Sequence, residues 1–284
     1  MHKVPIQETL YTPRSRILNP LRLFREMYGD LFASRELAWR LLVRNIRGQY
    51  RRSFLGITWA IVPPALTAAG LTFANDTGIL NIGETDIPYP AYVMLGTVLW
   101  QTFLEALNCP QIAINTSRPL LAQVKFPHEA IILTQLGQIL FNLVIKLVFV
   151  IVLLILFRVS ISWTIILSPI AIINLIILGT AIGLLLVPAT NLIQDVSRAM
   201  EVITLAWFFL TPVAYPTPDN PILHFIVKLN PVTPLIVTAR ELITTGVLSQ
   251  IFSFTLVSLI ALVGLFLGWL IYRLAMPYLI ERIS

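Results

Sequence analysis

AIILTQLGQILFNLVIKLVFVIVLLILF, residues 130–157, carries one charged side chain, Lys146. About 20 apolar residues cross a bilayer as a helix. This run is longer than that and predicts a tilted membrane span. Its interruptions are ordered. Gln135, Gln138, Asn142 and Lys146 recur at steps of three, four and four, which places them on one helix face. A charge near mid-bilayer costs at least about 2.5–3.5 kcal/mol, so this face turns to a bundle interior or to water. It either glues helices together or lines a path. Glu105 and Glu201 are the candidate counter-charges.

The rest of the chain has the same character. Of its 284 residues 57% are hydrophobic and 12% charged, against about 45–50% and about 25% in soluble domains. The expected fold is an all-α membrane protein with six spans, at residues 54–74, 91–107, 130–157, 165–187, 200–212 and 252–275. Residues 1–53 form a cytosolic N-terminal segment and residues 54–284 the membrane domain. The fifth span is short for a crossing, so its neighbours or a thinned membrane complete it.

Charge sets the orientation. Of the 20 Lys and Arg residues, sixteen fall before the first span, in the second-to-third and fourth-to-fifth connections or in the tail. The opposite side holds Arg158, Lys228 and Arg240, and its first loop has Asp76, Glu84 and Asp86. The positive-inside rule places both termini in the cytoplasm. The net charge of +6 thus serves topology and headgroups, not nucleic acid.

Ahead of the first span, Asn19-Pro20 reads as a helix start. Leu21, Phe24, Tyr28 and Leu31 follow at helical spacing. Trp39, Leu42, Ile46 and Tyr50 make one stripe and Arg40, Arg44, Arg47 and Arg51 another. That pattern reads as an amphipathic helix lying in the membrane interface, with docking on a protein partner as the alternative. Pro63 and Pro64 are read as breakers within span one, whose freed carbonyls need partners away from lipid.

Aromatics fall within spans rather than at their ends: Trp100 and Phe103 in the second, Trp207 and Phe208 in the fifth. Such rings stack on sugars, though lipid-facing packing is the commoner use. After span five, six prolines from Pro212 to Pro234 leave an apolar segment too broken to cross twice. Short helices at residues 222–229 and 234–244 are expected to dip in as an external plug. In the second-to-third connection Asn115 or Ser117 caps a short helix over residues 120–124 that Pro127 stops. This moderately apolar piece suits docking in the cytosol.

Other chemistries lack their residues. Cys109 is the sole cysteine, and His2, His128 and His224 are scattered. No GxxxxGK[ST] nucleotide loop occurs in the sequence, and no cleavable signal peptide is expected. Glu105, Asp195 and Glu201 form no acid–base pair of a lipid-sugar enzyme.

Three stretches together resemble one family. RNIRGQYRRSFLGITWAIVPP, LLAQVKFPHEAIILT and LNPVTPLIVTARELI are similar to the span-one lead-in, the cytosolic coupling segment and the external re-entrant segment of permease subunits of ABC-2 type polysaccharide exporters. Those export O-antigen, capsule or teichoic acid. The resemblance implies a homodimer carrying two copies of a separate ABC ATPase, which binds the ATP and magnesium; this chain needs no cofactor. A lipid-linked glycan would pass between the permeases, lined here by Trp59, Trp207, Phe208 and Tyr215 besides the residues above. The interfacial helix and Arg118, Leu120, Leu121, Lys125, Phe126 and Pro127 would meet the ATPase. Ile222, Phe225, Asn230, Pro231, Pro234 and Arg240 would form the external gate. The resemblance places the protein in the cytoplasmic (inner) membrane. An ABC-2 exporter of drugs or small lipids is the competing reading.

Overall fold

The computed structural model describes residues 20–51, 56–80, 82–123, 126–217 and 220–283. Among them are nine α-helices, two short 3-10 turns and no strand. The α-helices are α1 Pro20–Arg51, α2 Val62–Asp76, α3 Tyr89–Gln123, α4 Glu129–Leu156, α5 Ser168–Leu192, α6 Gln194–Leu210, α7 Pro221–Leu229, α8 Val232–Ile243 and α9 Ile251–Ile283. Asn19, the expected cap of α1, lies outside the described residues.

By length and composition, Glu129–Leu156, Trp163–Leu192 and Ile251–Leu279 are each able to cross a membrane. The α7–α8 pair, bent by 90°, adds a fourth candidate if taken as one broken span. α2 and α6 have 15 and 17 residues, about 22 and 25 Å at helical rise, short of the ~30 Å hydrocarbon core.

α5 is the axis of the bundle and packs by glycine on two faces. A Cβ on Gly183 would sit 2.2 Å from the Leu107 carbonyl oxygen, and one on Gly179 2.8 Å from that of Phe103. These glycines, four apart, let α3 approach to backbone contact. On the other side Gly268 of α9 abuts Leu184 and Ala181. Small residues at four-residue spacing are how helices gain dispersion contact where lipid removes the hydrophobic drive. Large apolar side chains elsewhere on α4 and α9 face outward, as expected of surfaces against lipid.

Two expectations need correction. Pro63 and Pro64 do not interrupt a helix. A 3-10 turn, Gly56–Ala60, precedes them, and they occupy the first turn of α2, where a missing N–H leaves no bond unmade. The second-to-third connection is not a loop with a capped short helix: α3 runs unbroken to Gln123 through Pro110 and Pro119. Neither Asn115 nor Ser117 caps it, and the Asn115 side chain instead accepts from Arg118. On α1 Met27, Ser34, Ala38 and Leu41 are buried, while Tyr28, Phe32 and Trp39 point outward. Small residues let α1 lie close to α4, as where Leu42 meets Gly137.

The segment after α6 matches its expected form. Helices at Pro221–Leu229 and Val232–Ile243 stand where two short helices were expected, the first capped by Asn220 accepting from the Ile222 amide at 3.0 Å.

Candidate functional site

The polar face of α4 meets a polar face of α3. Gln101, Glu105, Asn108 and Thr116 lie along one side of α3, none of them buried. Lys146 donates to Glu105 at 2.5 Å, with its side chain 1% exposed against 32% for the carboxylate. Glu201 is exposed on α6, so Glu105 is the counter-charge. Gln138 donates to Gln49 of α1 at 2.8 Å and to Asn142 at 3.5 Å, and Gln135 to Thr116 at 3.5 Å. The result is a ladder of amides and one ion pair running down the α3–α4 seam. Two acceptors within it, Glu105 Oε2 and Gln138 Oε1, are buried without a donor among the described residues. Gln101, Asn108, Thr116 and Gln49 were missed in the sequence. The signal on α3 was present, as polar residues at positions 101, 105, 108 and 116, but prolines and apolar neighbours obscured it.

The aromatic candidates form one cluster. Phe103 and Trp207 stand 5.3 Å apart edge to face, Trp100 and Phe208 5.8 Å, and Trp100 and Trp207 6.3 Å. Trp100 and Phe103 are buried within the protomer and hold α6 against α3. Trp207 and Phe208 are half-buried, and Trp59 is exposed on its 3-10 turn.

The α7–α8 bend is built on Asn230. Its carboxamide oxygen accepts from the Trp207 indole at 2.9 Å and the Val232 amide at 3.0 Å. Its nitrogen donates to Thr211 at 2.8 Å and the Leu210 carbonyl at 3.3 Å. One side chain therefore ties the bend to the end of α6. Pro231 is the N-cap of α8, Pro234 lies buried in its first turn, and Ile222 and Phe225 are exposed on α7.

Further along α8, Arg240 is buried, 7% exposed. It donates to the Pro212 and Val213 carbonyls at 3.1 and 2.9 Å, and its guanidinium lies 3.8 Å over the Tyr92 ring. Gly96 admits this approach, since a Cβ there would stand 2.1 Å from the Val213 oxygen. Tyr92 in turn donates to the Tyr215 carbonyl. Burial, then Tyr92, pushes the Tyr215 hydroxyl above the ordinary tyrosine pKa, and it donates to Phe209.

At the opposite end Arg118 is exposed on the last turns of α3 and donates to Asn115 at 2.8 Å, while Leu121 is buried. Phe126 and Pro127 are half-buried, Phe126 facing the His128 ring. Lys125 and the Leu120 side chain lie outside what is described.

Residues 36–244 match the family model described as ABC-2 type transporter. The chain belongs to the ABC-2 type transporter family. The match begins within α1 and ends just after α8, so the polar α3–α4 seam, the aromatic cluster and the bend all lie inside this ABC-2 region. Among similar ABC-2 proteins, the O-antigen export system permease protein RfbA of Myxococcus xanthus is 26% identical over 226 residues, 78% of this chain and 84% of the relative. The polysialic acid transport protein KpsM of Escherichia coli is 25% identical, covering 82% and 91%. An RfbA of Klebsiella pneumoniae is 23% identical, covering 72% and 79%.

Proposed function

We propose that this chain is the permease subunit of an ATP-driven exporter that moves a lipid-linked polysaccharide, of O-antigen, capsular or teichoic acid type, across the cytoplasmic membrane. The observation that carries this is the likeness, over most of the chain, to proteins named as O-antigen export permeases and as a polysialic acid transport protein.

In this reading the protein is a homodimer with six crossings per protomer and both termini cytoplasmic. α2 and α6 form the wall between protomers. α6 buries no residue within its own protomer, and Val202, Leu205 and Phe209 line its open face. Trp59, Trp207, Phe208 and Tyr215 border the path, and α7 and α8 close it externally. Two copies of a separate ABC ATPase, which bind ATP and magnesium, dock at residues 118–127. α1 lies in the interface: its direct contacts from Ala38 to Gln49 span about 16 Å along its axis but only about 6 Å along α4, from Thr134 to Gln138. It therefore crosses the bundle obliquely, with Tyr28, Phe32 and Trp39 free to enter lipid.

The test is affinity purification of the tagged full chain from its native membrane. The expected result is a co-purifying ABC ATPase, and glycan held inside cells that lack the chain. Normal surface glycan in those cells would overturn the proposal.

A further inference from the structure

Arg273, counted in the sequence only as a topological charge, is the junction of three helices. From α9 its Nη1 donates to Glu129 Oε1 of α4 at 3.0 Å and its Nη2 to Asp30 Oδ2 of α1 at 2.5 Å. The Arg273 and Glu129 side chains are 10% and 7% exposed. A guanidinium suits this task because its planar fork directs two donors at two carboxylates at once. The same turn of α9 grips twice more. The Trp269 indole donates to Glu129, and the Tyr272 hydroxyl to the His128 carbonyl at 3.2 Å. Tyr28 of α1 packs edge-on against Trp269.

What matters is where this junction lies in the chain. His128 and Glu129 directly follow Phe126-Pro127, the end of the proposed docking segment. A displacement of that segment must carry the first turn of α4 with it. Glu129 is held by Arg273, which also holds Asp30, so Arg273 gives the displacement a charged route to α1 beside the direct packing of α1 on α4.

We propose that Arg273 is a positioning residue that couples movement of the docking segment to the interfacial helix α1, with Glu129 as the input arm and Asp30 as the output arm. This rests on the reading of the chain as an ATPase-driven permease. Asp30→Asn separates the arms: it weakens the output while leaving Arg273, Glu129, Trp269 and Tyr272 in place. Arg273→Gln removes both arms and serves as the second variant.

The test is amide hydrogen–deuterium exchange of the full chain with its co-purified ATPase in lipid nanodiscs, with and without ATP, magnesium and vanadate. In the unaltered protein, amides of residues 118–133 and of residues 27–34 are expected to respond together. In Asp30→Asn the first response persists and the second is lost, with the ATPase still bound; Arg273→Gln likewise loses the response in α1. A purely structural tie would alter the resting exchange of α1 without removing its nucleotide dependence. A response in α1 that survives Asp30→Asn, or that is missing from the unaltered protein while residues 118–133 respond, overturns the coupling and leaves the permease reading standing. No nucleotide response anywhere in the unaltered complex sinks both.

Discussion

Lys146 is held by Glu105 and by helix packing, far from either end of α4. Removing one member of a buried pair strands the other, at a cost of about 3–5 kcal/mol, whereas removing both is often close to neutral. Glu105→Ala is therefore expected to lower thermal stability of the purified chain in detergent strongly, and Glu105→Ala with Lys146→Met to restore most of it. Equal loss in the single and double variants would show that the pair is not the source. The glycines of α5 act through volume alone. Gly183→Ala sets a methyl against the Leu107 carbonyl and is expected to cost about 1–3 kcal/mol by overpacking, read as a lower unfolding temperature. Gly70, with nothing within 4 Å of a Cβ, is the matched control and should tolerate alanine.

Between α7 and α8 the bend depends on one amide. Asn230→Ala removes both partners it offers to Trp207 and Val232 and orphans their N–H groups, each worth about 1–3 kcal/mol if left buried. The expected outcome is faster amide exchange across residues 230–236 and a red-shifted Trp207 emission. Unchanged exchange would mean that the prolines alone hold the bend. Proline spacing exposed this pair of helices in the sequence, since prolines at 221, 231 and 234 leave few registers for a helix to start. The same rule misled at Pro63-Pro64, and the short helix expected over residues 120–124 is instead the end of α3, which runs on through Pro110 and Pro119. Proline opens a helix as readily as it ends one, and within a packed bundle neighbouring groups cover the bonds it removes.

Taken as a whole, the chain leaves the outer faces of α2 and α6 exposed, with Leu66 and Phe73 on α2 and Val202, Leu205 and Phe209 on α6. The open row Val202, Leu205 and Phe209 on α6 predicts that Leu205→Cys forms an intermolecular disulfide in membranes under mild oxidation; native Cys109 is buried and should stay silent. Absence of the cross-link would argue for a different dimer face. Orientation is tested separately: Trp39→Cys should label only from the cytoplasmic side and Phe225→Cys only from outside.

Membrane residence, the apolar runs of α4, α5 and α9, the polar face of α4 and the broken α7–α8 pair were all legible in the amino-acid order. Each follows from hydropathy, helical period or proline position within one segment. The choice of Glu105 over Glu201 for Lys146, the burial of Trp100 and Phe103, the face of α1 that packs, and the Arg273 junction were decided only by the tertiary structure. Those depend on which helices come into register across distances of up to 243 residues in sequence, as between Asp30 and Arg273. Local pattern states that a side chain needs a partner; only packing selects which one is within reach.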